Sequence, residues 1–110
     1  MSELGPLYHW SPRRRLSGIK RTGLEPGKKN LHNSEFIQPA VCAALDAATA
    51  WNYSHGAWKS KGEFDLWQFW LAGSDDVRVL NFWGKRIMEV RIHNRIPKSR
   101  LIWIGERLIS

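Results

Sequence analysis

The second half of the chain alternates short β-rich runs with turn residues, and this spacing constrains the fold most. Runs of β-branched and aromatic residues at 64–71, 77–83 and 87–96 predict three strands. Residues 73–76 (Gly-Ser-Asp-Asp) and 84–86 (Gly-Lys-Arg) separate these runs and are typical of tight turns. Strands joined this closely pair antiparallel, because a parallel pair needs a crossover of about a dozen residues or more. The pattern therefore favours an antiparallel sheet over a doubly wound parallel one.

The first half predicts a strand followed by a short helix. Residues 7–11 form an aromatic strand that Pro12 ends, since proline fixes its own backbone and favours the first turn of a helix. Residues 13–21 are then predicted to be helical, with Leu16 and Ile19 facing inward.

Three further elements complete the prediction. Residues 40–43 form a strand of small residues, and Asp46 is a good N-cap for a helix over 47–53. Residues 101–109 are β-branched enough to form a last strand, whereas 27–38 and 58–62 are predicted to be connecting loop and turn. Two short helices with five or six strands predict an α+β domain.

Composition indicates one folded domain spanning residues 1–110. An apolar fraction of 43% and seven tryptophans exclude a disordered chain. No apolar run approaches the ~20 residues that a membrane-spanning helix needs, and the start of the chain lacks the apolar core of a signal peptide. The single cysteine, Cys42, cannot form an internal disulfide. A cytoplasmic protein without a membrane partner is expected.

The charge balance predicts an anionic partner. Seventeen Lys and Arg against ten Asp and Glu give a net charge of +7, which attracts polyanions at long range if the basic residues share a face. Nucleic acid and NAD are both ligands of this kind, and a solvated basic surface is the alternative. The basic residues form two groups: Arg13, Arg14, Arg15, Lys20, Arg21, Lys28 and Lys29, then Lys85, Arg86, Arg91, Arg95, Lys98, Arg100 and Arg107.

Other common sites have little support in the sequence. His9, His32, His55 and His93 lack the close spacing of metal ligands, and Cys42 has no CxxC partner, so no metal site is predicted. The chain also contains neither a P-loop nor a GxGxxG motif.

The beginning of the chain carries a family resemblance. The order Leu-Tyr-His-Trp-Ser (7–11), basic helix, Thr-Gly-Leu-Glu-Pro-Gly (22–27) resembles the opening of the ADP-ribosyltransferase superfamily, with Ile19 and Gly23-Leu24 where that pattern has them. In that family this segment builds one wall of the NAD-binding cleft. The resemblance implies that His9, with Trp10 and Ser11, contacts NAD and that Arg13 neutralises its pyrophosphate.

Residues 40–53 resemble the second block of the same family, in which a strand runs into a helix that lays aromatic side chains beside the nicotinamide. Asp46 and Ala50 match the pattern, but the family's strand tyrosine falls on Cys42. The resemblance implies that Trp51 or Tyr53 supplies the aromatic face instead, or that NAD binds weakly. The alternative is that both aromatics belong to the core.

The third block places a catalytic glutamate on a late strand before an Ile-Pro corner. Residues 87–97 fit this pattern and are similar to the tail of DarT-like enzymes, with Glu89 as the catalytic carboxylate. Period-2 alternation puts Glu89 and Arg91 on the polar strand face, which lines either a cleft or the solvent. Glu106 is the alternative carboxylate. Glu89 is favoured because Pro97 follows it, as the family pattern requires, whereas Pro97 precedes Glu106.

Together the three blocks imply a split antiparallel β-sandwich with two or three short helices and a cleft between its sheets. They imply a minimal NAD-dependent mono-ADP-ribosyltransferase, of the size expected of a phage or bacterial effector, acting on DNA, RNA or a host protein. Alternatives are a non-enzymatic, basic, Trp-rich module that binds nucleic acid or protein, and a degenerate or RNA 2′-phosphotransferase-like member of the fold. We expect His9 and Glu89 on neighbouring strands facing one cleft, bordered by Trp51 or Tyr53.

Overall fold

Two three-stranded antiparallel sheets and two α-helices make up the described part of the chain. The computed structural model describes residues 5–27, 39–53, 61–81 and 88–109. Single 3-10 turns precede the first helix (Arg13–Arg15) and the last strand (Lys98–Arg100). The elements are β1 (Leu7–Pro12), α1 (Leu16–Thr22), β2 (Val41–Ala43), α2 (Ala47–Tyr53), β3 (Gly62–Phe69), β4 (Val77–Asn81), β5 (Met88–Ile92) and β6 (Ile102–Ile109).

One bridge joins the two sheets. The first sheet has the order β1-β3-β6 and the second has the order β2-β5-β4, with every neighbouring pair antiparallel. Tyr8 donates its N–H to the Ala44 carbonyl at 2.8 Å, and Ala44 donates back to Tyr8 at 3.1 Å. This isolated pair is the only ladder contact between β1 and β2 in the described residues. The two sheets are therefore separate ladders that meet at this bridge.

The core lies where the two sheets face each other. Strand alternation turns Val90 and Ile92 of β5 inward, and both are fully buried. Trp67 and Phe69 of β3 face them from the first sheet, with Leu71 packed at the margin. The cluster is completed by Leu7, Ile19, Leu24, Val41, Ala43 and Ile96.

The predicted fold class is confirmed as α+β with antiparallel pairing in two sheets. Asp46 is confirmed as the N-cap of α2, since its Oδ1 accepts the Thr49 N–H at 2.7 Å. The predicted loop at 27–38 and the turns at 58–62 and 84–86 lie wholly or mostly outside the described residues. None of the described helices is long or apolar enough to cross a membrane.

Three predicted elements have boundaries that are wrong by two residues or more. The strand over 64–71 lies instead at Gly62–Phe69. The helix over 13–21 begins as a 3-10 turn and becomes α-helical only at Leu16. The strand over 87–96 ends at Ile92, because the His93 N–H turns to the Asp76 carbonyl (2.8 Å) and Ile96 instead bridges to Leu24. That second bridge ties the chain after β5 to the chain after α1.

Candidate functional site

His9 lies at the split between the sheets. It is half-buried on β1, one residue beyond the Tyr8–Ala44 bridge, and its Nδ1 is 2.7 Å from the carbonyl oxygen of Cys42 on β2. A carbonyl only accepts hydrogen bonds, so Nδ1 carries the proton and a neutral ring keeps an acceptor at Nε2. Burial lowers the pKa of His9, and the charge of Arg15 lowers it further, against the opposing hydrogen bond to Cys42. His9 is therefore a neutral acceptor near pH 7.

Glu89 is a buried carboxylate on the second sheet. Only 5% of the residue is exposed, so the alternative that it decorates a solvent face is wrong. Arg91, on the same face of β5, donates from Nε to Glu89 Oε1 at 2.9 Å. Burial of a carboxylate is costly unless it is paired, and Arg91 supplies the pairing.

Cys42 connects these two groups. Its thiol adjoins the Glu89 carboxylate, and burial, followed by the negative charge of Glu89, raises the pKa of Cys42 to about 11. Its carbonyl meanwhile binds His9. The expectation that His9 and Glu89 occupy neighbouring strands is wrong, because β2 lies between β1 and β5. What His9 and Glu89 share is contact with the same residue of that intervening strand.

The predicted aromatic wall is packed elsewhere. Trp51 meets Trp10 and Phe64 edge-to-face, with ring centroids 5.1 and 5.2 Å away, and the Arg107 guanidinium lies over its ring at 4.2 Å. Trp10 alternates with His9 along β1, so this cluster occupies the opposite strand face. Arg107 therefore occupies one of the two ring faces on which a nicotinamide could stack. The Tyr53 side chain lies outside the described residues, and its role stays a prediction.

Two other expected NAD ligands already have protein partners. Ser11 is 2% exposed, and its Oγ accepts the Trp67 Nε1–H at 3.0 Å. Arg13 donates from Nε to both oxygens of fully buried Asp65, at 3.0 and 2.9 Å. Arg13 also pairs with Glu63 at 2.7 Å and with Glu106. Its charge is thus neutralised within the protein.

This cluster also determines the position of the rival carboxylate. Glu106 is a half-exposed residue of β6 that pairs with Arg13 in the first sheet. Glu89 lies across the split on the second sheet. Among the two candidates, only Glu89 adjoins the residue that binds His9.

Sequence reasoning missed Arg91 as a site residue and did not separate Arg15 from its neighbours Arg13 and Arg14. Arg15 is exposed, has no carboxylate partner in the described part of the chain, and acts electrostatically on His9. The run of three arginines at 13–15 was the available signal, but it does not say which of them remains without a partner. Arg91 holds Glu89 in place at i+2 on the same strand, a spacing that alternation makes visible.

Two surface cavities bordered by described residues lie outside this arrangement. One of about 280 Å³ adjoins Trp67 and Trp103, and one of about 450 Å³ adjoins Arg13 and Glu106. In the described ranges, no three His, Cys, Asp or Glu side chains are grouped to hold a metal ion. No protein-family model matches the chain, and no curated protein matches it.

Proposed function

We propose that the chain is an NAD-dependent mono-ADP-ribosyltransferase acting on a macromolecular acceptor, either nucleic acid or a host protein. The arrangement of His9 and Glu89 on either side of Cys42 carries the proposal. Glu89 is a buried carboxyl group that the hydrophobic core does not need, and it adjoins Cys42, whose pKa burial raises to about 11. Groups with perturbed pKa values cluster at functional sites. The order of these residues along the chain is the one that the family resemblance implies.

The described residues fit the ribose and phosphate portions of NAD. Neutral His9 offers Nε2 as an acceptor for a ribose hydroxyl, and exposed Arg15 offers a positive charge beside it. Trp51, Ser11 and Arg13 fit less well, because their binding groups are already engaged. Arg15 therefore replaces Arg13 as the proposed phosphate ligand.

The chemistry requires a fixed negative charge beside the reacting sugar. When bound, NAD supplies an ADP-ribose whose bond to nicotinamide breaks at C1′, with the electron pair leaving on nicotinamide. Positive charge develops on the ribose in that transition state, and the Glu89 carboxylate stabilises it. Glu89 also orients or deprotonates the acceptor nucleophile that bonds to C1′. Arg91 orients the carboxylate through the Nε–Oε1 bond.

The test compares Glu89→Gln with Glu106→Gln, the same change at the rival carboxylate. Nicotinamide release from NAD is measured with and without single-stranded DNA, RNA or a protein mixture, and labelled NAD reports transfer. We expect Glu89→Gln to lower kcat by about 10²-fold or more, because it removes the charge that stabilises the transition state. NAD affinity and folding should change little, since glutamine still accepts from Arg91. Glu106→Gln should retain activity.

Either of two results contradicts the proposal. One is a fully active Glu89→Gln protein. The other is a wild-type protein that releases no nicotinamide with any acceptor while remaining folded by circular dichroism.

A second candidate is a non-enzymatic binding module. It is favoured by exposed tryptophans, since Trp70 and Trp103 are 44% and 46% exposed. A nicotinamide-release assay separates the two functions, because a binding module leaves NAD intact.

A further inference from the structure

A groove beside Trp103 combines an exposed aromatic ring with two cations. Its volume is about 280 Å³, and it lies on the core-facing side of the first sheet. The strand register aligns His9, Trp67 and Trp103 across β1, β3 and β6, so the groove continues the row that begins at His9. The residues that line it are Ile19, Lys20, Trp67, Lys98, Leu101 and Trp103.

Trp103 is held in one orientation although it is 46% exposed. Its Nε1–H donates to Asp65 Oδ1 at 2.9 Å, and Asp65 is itself fully buried and bound by Arg13. An exposed indole ordinarily samples several rotamers, and ordering it on binding has an entropic cost. Here the buried carboxylate has already fixed the ring, so a ligand can stack on it without that cost.

The two lysines give the groove its charge. Lys20 on α1 and Lys98 in the turn before β6 are exposed, and neither forms an ion pair within the described ranges. No described carboxylate lines the groove. Two unneutralised cations beside an apolar floor favour a ligand that is both anionic and aromatic.

A close packing contact fixes the backbone positions of the two lysines relative to each other. A Cβ added at Gly23, just after α1, would lie 2.1 Å from the Ile96 carbonyl oxygen and 2.9 Å from the Lys98 backbone nitrogen. The helix that carries Lys20 and the turn that carries Lys98 are therefore held directly against each other. The groove is a preformed feature of the fold.

We propose that this groove binds single-stranded nucleic acid, with one base stacked on Trp103 and the adjacent phosphates on Lys20 and Lys98. Stacking needs an unpaired base, because a duplex keeps its base faces covered. An acidic peptide would satisfy the lysines but would leave the fixed indole without a planar partner. The net charge of +7 adds long-range attraction for the strand. Binding at this groove requires no NAD and does not depend on the proposed transferase activity.

The test measures binding of a fluorescein-labelled oligothymidylate of about 12 nucleotides by anisotropy, without NAD, over a range of salt concentrations. We expect Trp103→Leu to weaken binding about tenfold or more with an unchanged salt slope. Lys20→Gln and Lys98→Gln should each reduce the slope of log K against log salt by about 0.7. Trp70→Leu and Arg14→Gln remove an equally exposed indole and cation outside the groove and should have smaller effects.

Trp103→Phe keeps an aromatic face but loses the hydrogen bond to Asp65, so it should restore part of the affinity lost in Trp103→Leu, which separates stacking from a folding defect. The lysine variants alter exposed residues and report on the groove even if Trp103→Leu is unstable. Equal losses of oligonucleotide affinity in Trp103→Leu and Trp70→Leu would overturn the proposal. So would tighter binding of duplex DNA or of polyglutamate, which would identify a duplex or an acidic protein as the ligand. Nicotinamide release, measured separately, tests the transferase and not this groove.

Discussion

At Cys42, the backbone and the side chain contact different members of the candidate site. The carbonyl binds His9 across the split, and the thiol adjoins Glu89. His9 and Glu89 are thus linked through this one residue of β2.

The reactivity of Cys42 measures this contact. With a pKa of about 11, about one thiol in a thousand is ionised at pH 8, so alkylation by iodoacetamide should be far slower in the folded protein than in urea. Glu89→Gln removes a charge that raises this pKa and should therefore speed alkylation of the folded protein. Glu106→Gln is the control and should not change the rate. An unchanged rate in Glu89→Gln would show that the carboxylate does not act on the thiol.

At the scale of elements, short contacts between strand and helix ends hold the two halves together. The Leu24–Ile96 bridge joins the chain after α1 to the chain after β5, with both N–H···O distances at 2.9 Å. Arg100, in the turn before β6, binds both oxygens of Asp75 at 2.7 and 2.8 Å. These contacts position the elements that carry the groove.

Gly23→Ala should destabilise the protein by at least about 2 kcal/mol. Its backbone φ is +97°, and the added Cβ would lie 2.1 Å from the Ile96 carbonyl oxygen, so strain and a backbone clash act together. Gly18→Ala in α1 is the matched control. No atom lies within 4 Å of its added Cβ, and alanine should stabilise the helix by up to about 1 kcal/mol. Urea unfolding of both variants checks the prediction, and equal effects would contradict it.

Asp75 should make the stability of the protein sensitive to acid. The hydrogen bonds from Arg100 lower the pKa of Asp75 from 3.8 to about 2 in the folded state. Because the folded pKa is the lower one, the stabilisation is complete above about pH 4 and is lost as the pH falls through 2. We expect a loss of about 1–2 kcal/mol over this range, allowing for screening by solvent. The free energy of unfolding of Asp75→Asn should not show this loss at acid pH. If the variant and the wild type depend on acid pH identically, Asp75 is not its source.

At the scale of the whole molecule, the two sheets meet along the ladder only at the Tyr8–Ala44 bridge within the described ranges. The His9–Cys42 hydrogen bond adds a polar contact beside it, and the apolar core holds the sheets together beyond it. Protonation of His9 at Nε2 would keep this hydrogen bond but would place a positive charge at a contact where burial disfavours it.

The wild-type protein should lose stability as the pH falls below about 6.5. The folded-state pKa of His9 lies below the value of 6.5 that it has when unfolded, since burial favours the neutral ring. Between these two values the unfolded chain binds more protons, so the free energy of unfolding rises with pH. His9→Gln removes the titrating group and should flatten the profile between pH 5 and 7. If His9→Gln leaves the pH dependence of the unfolding free energy unchanged, a group other than His9 is responsible for it.

The sequence alone determined local features of this protein, such as the facing of strand residues and the start of a helix. Alternation correctly placed Glu89 and Arg91 on the same face of β5, and Asp46 correctly predicted the start of α2. Both are decided within a few residues, by the period of a strand and by the reach of a capping side chain.

Tertiary structure alone decided which polar groups are engaged. Arg13 is bound by Asp65 and Glu106, which lie 52 and 93 positions away, and Arg107 covers the ring of Trp51 from another strand. No local pattern encodes such pairs, because they depend on how three strands are ordered and in which register they align. The burial of Glu89 and its contact with Cys42 have the same origin, since β5 meets β2 only after the second sheet has assembled.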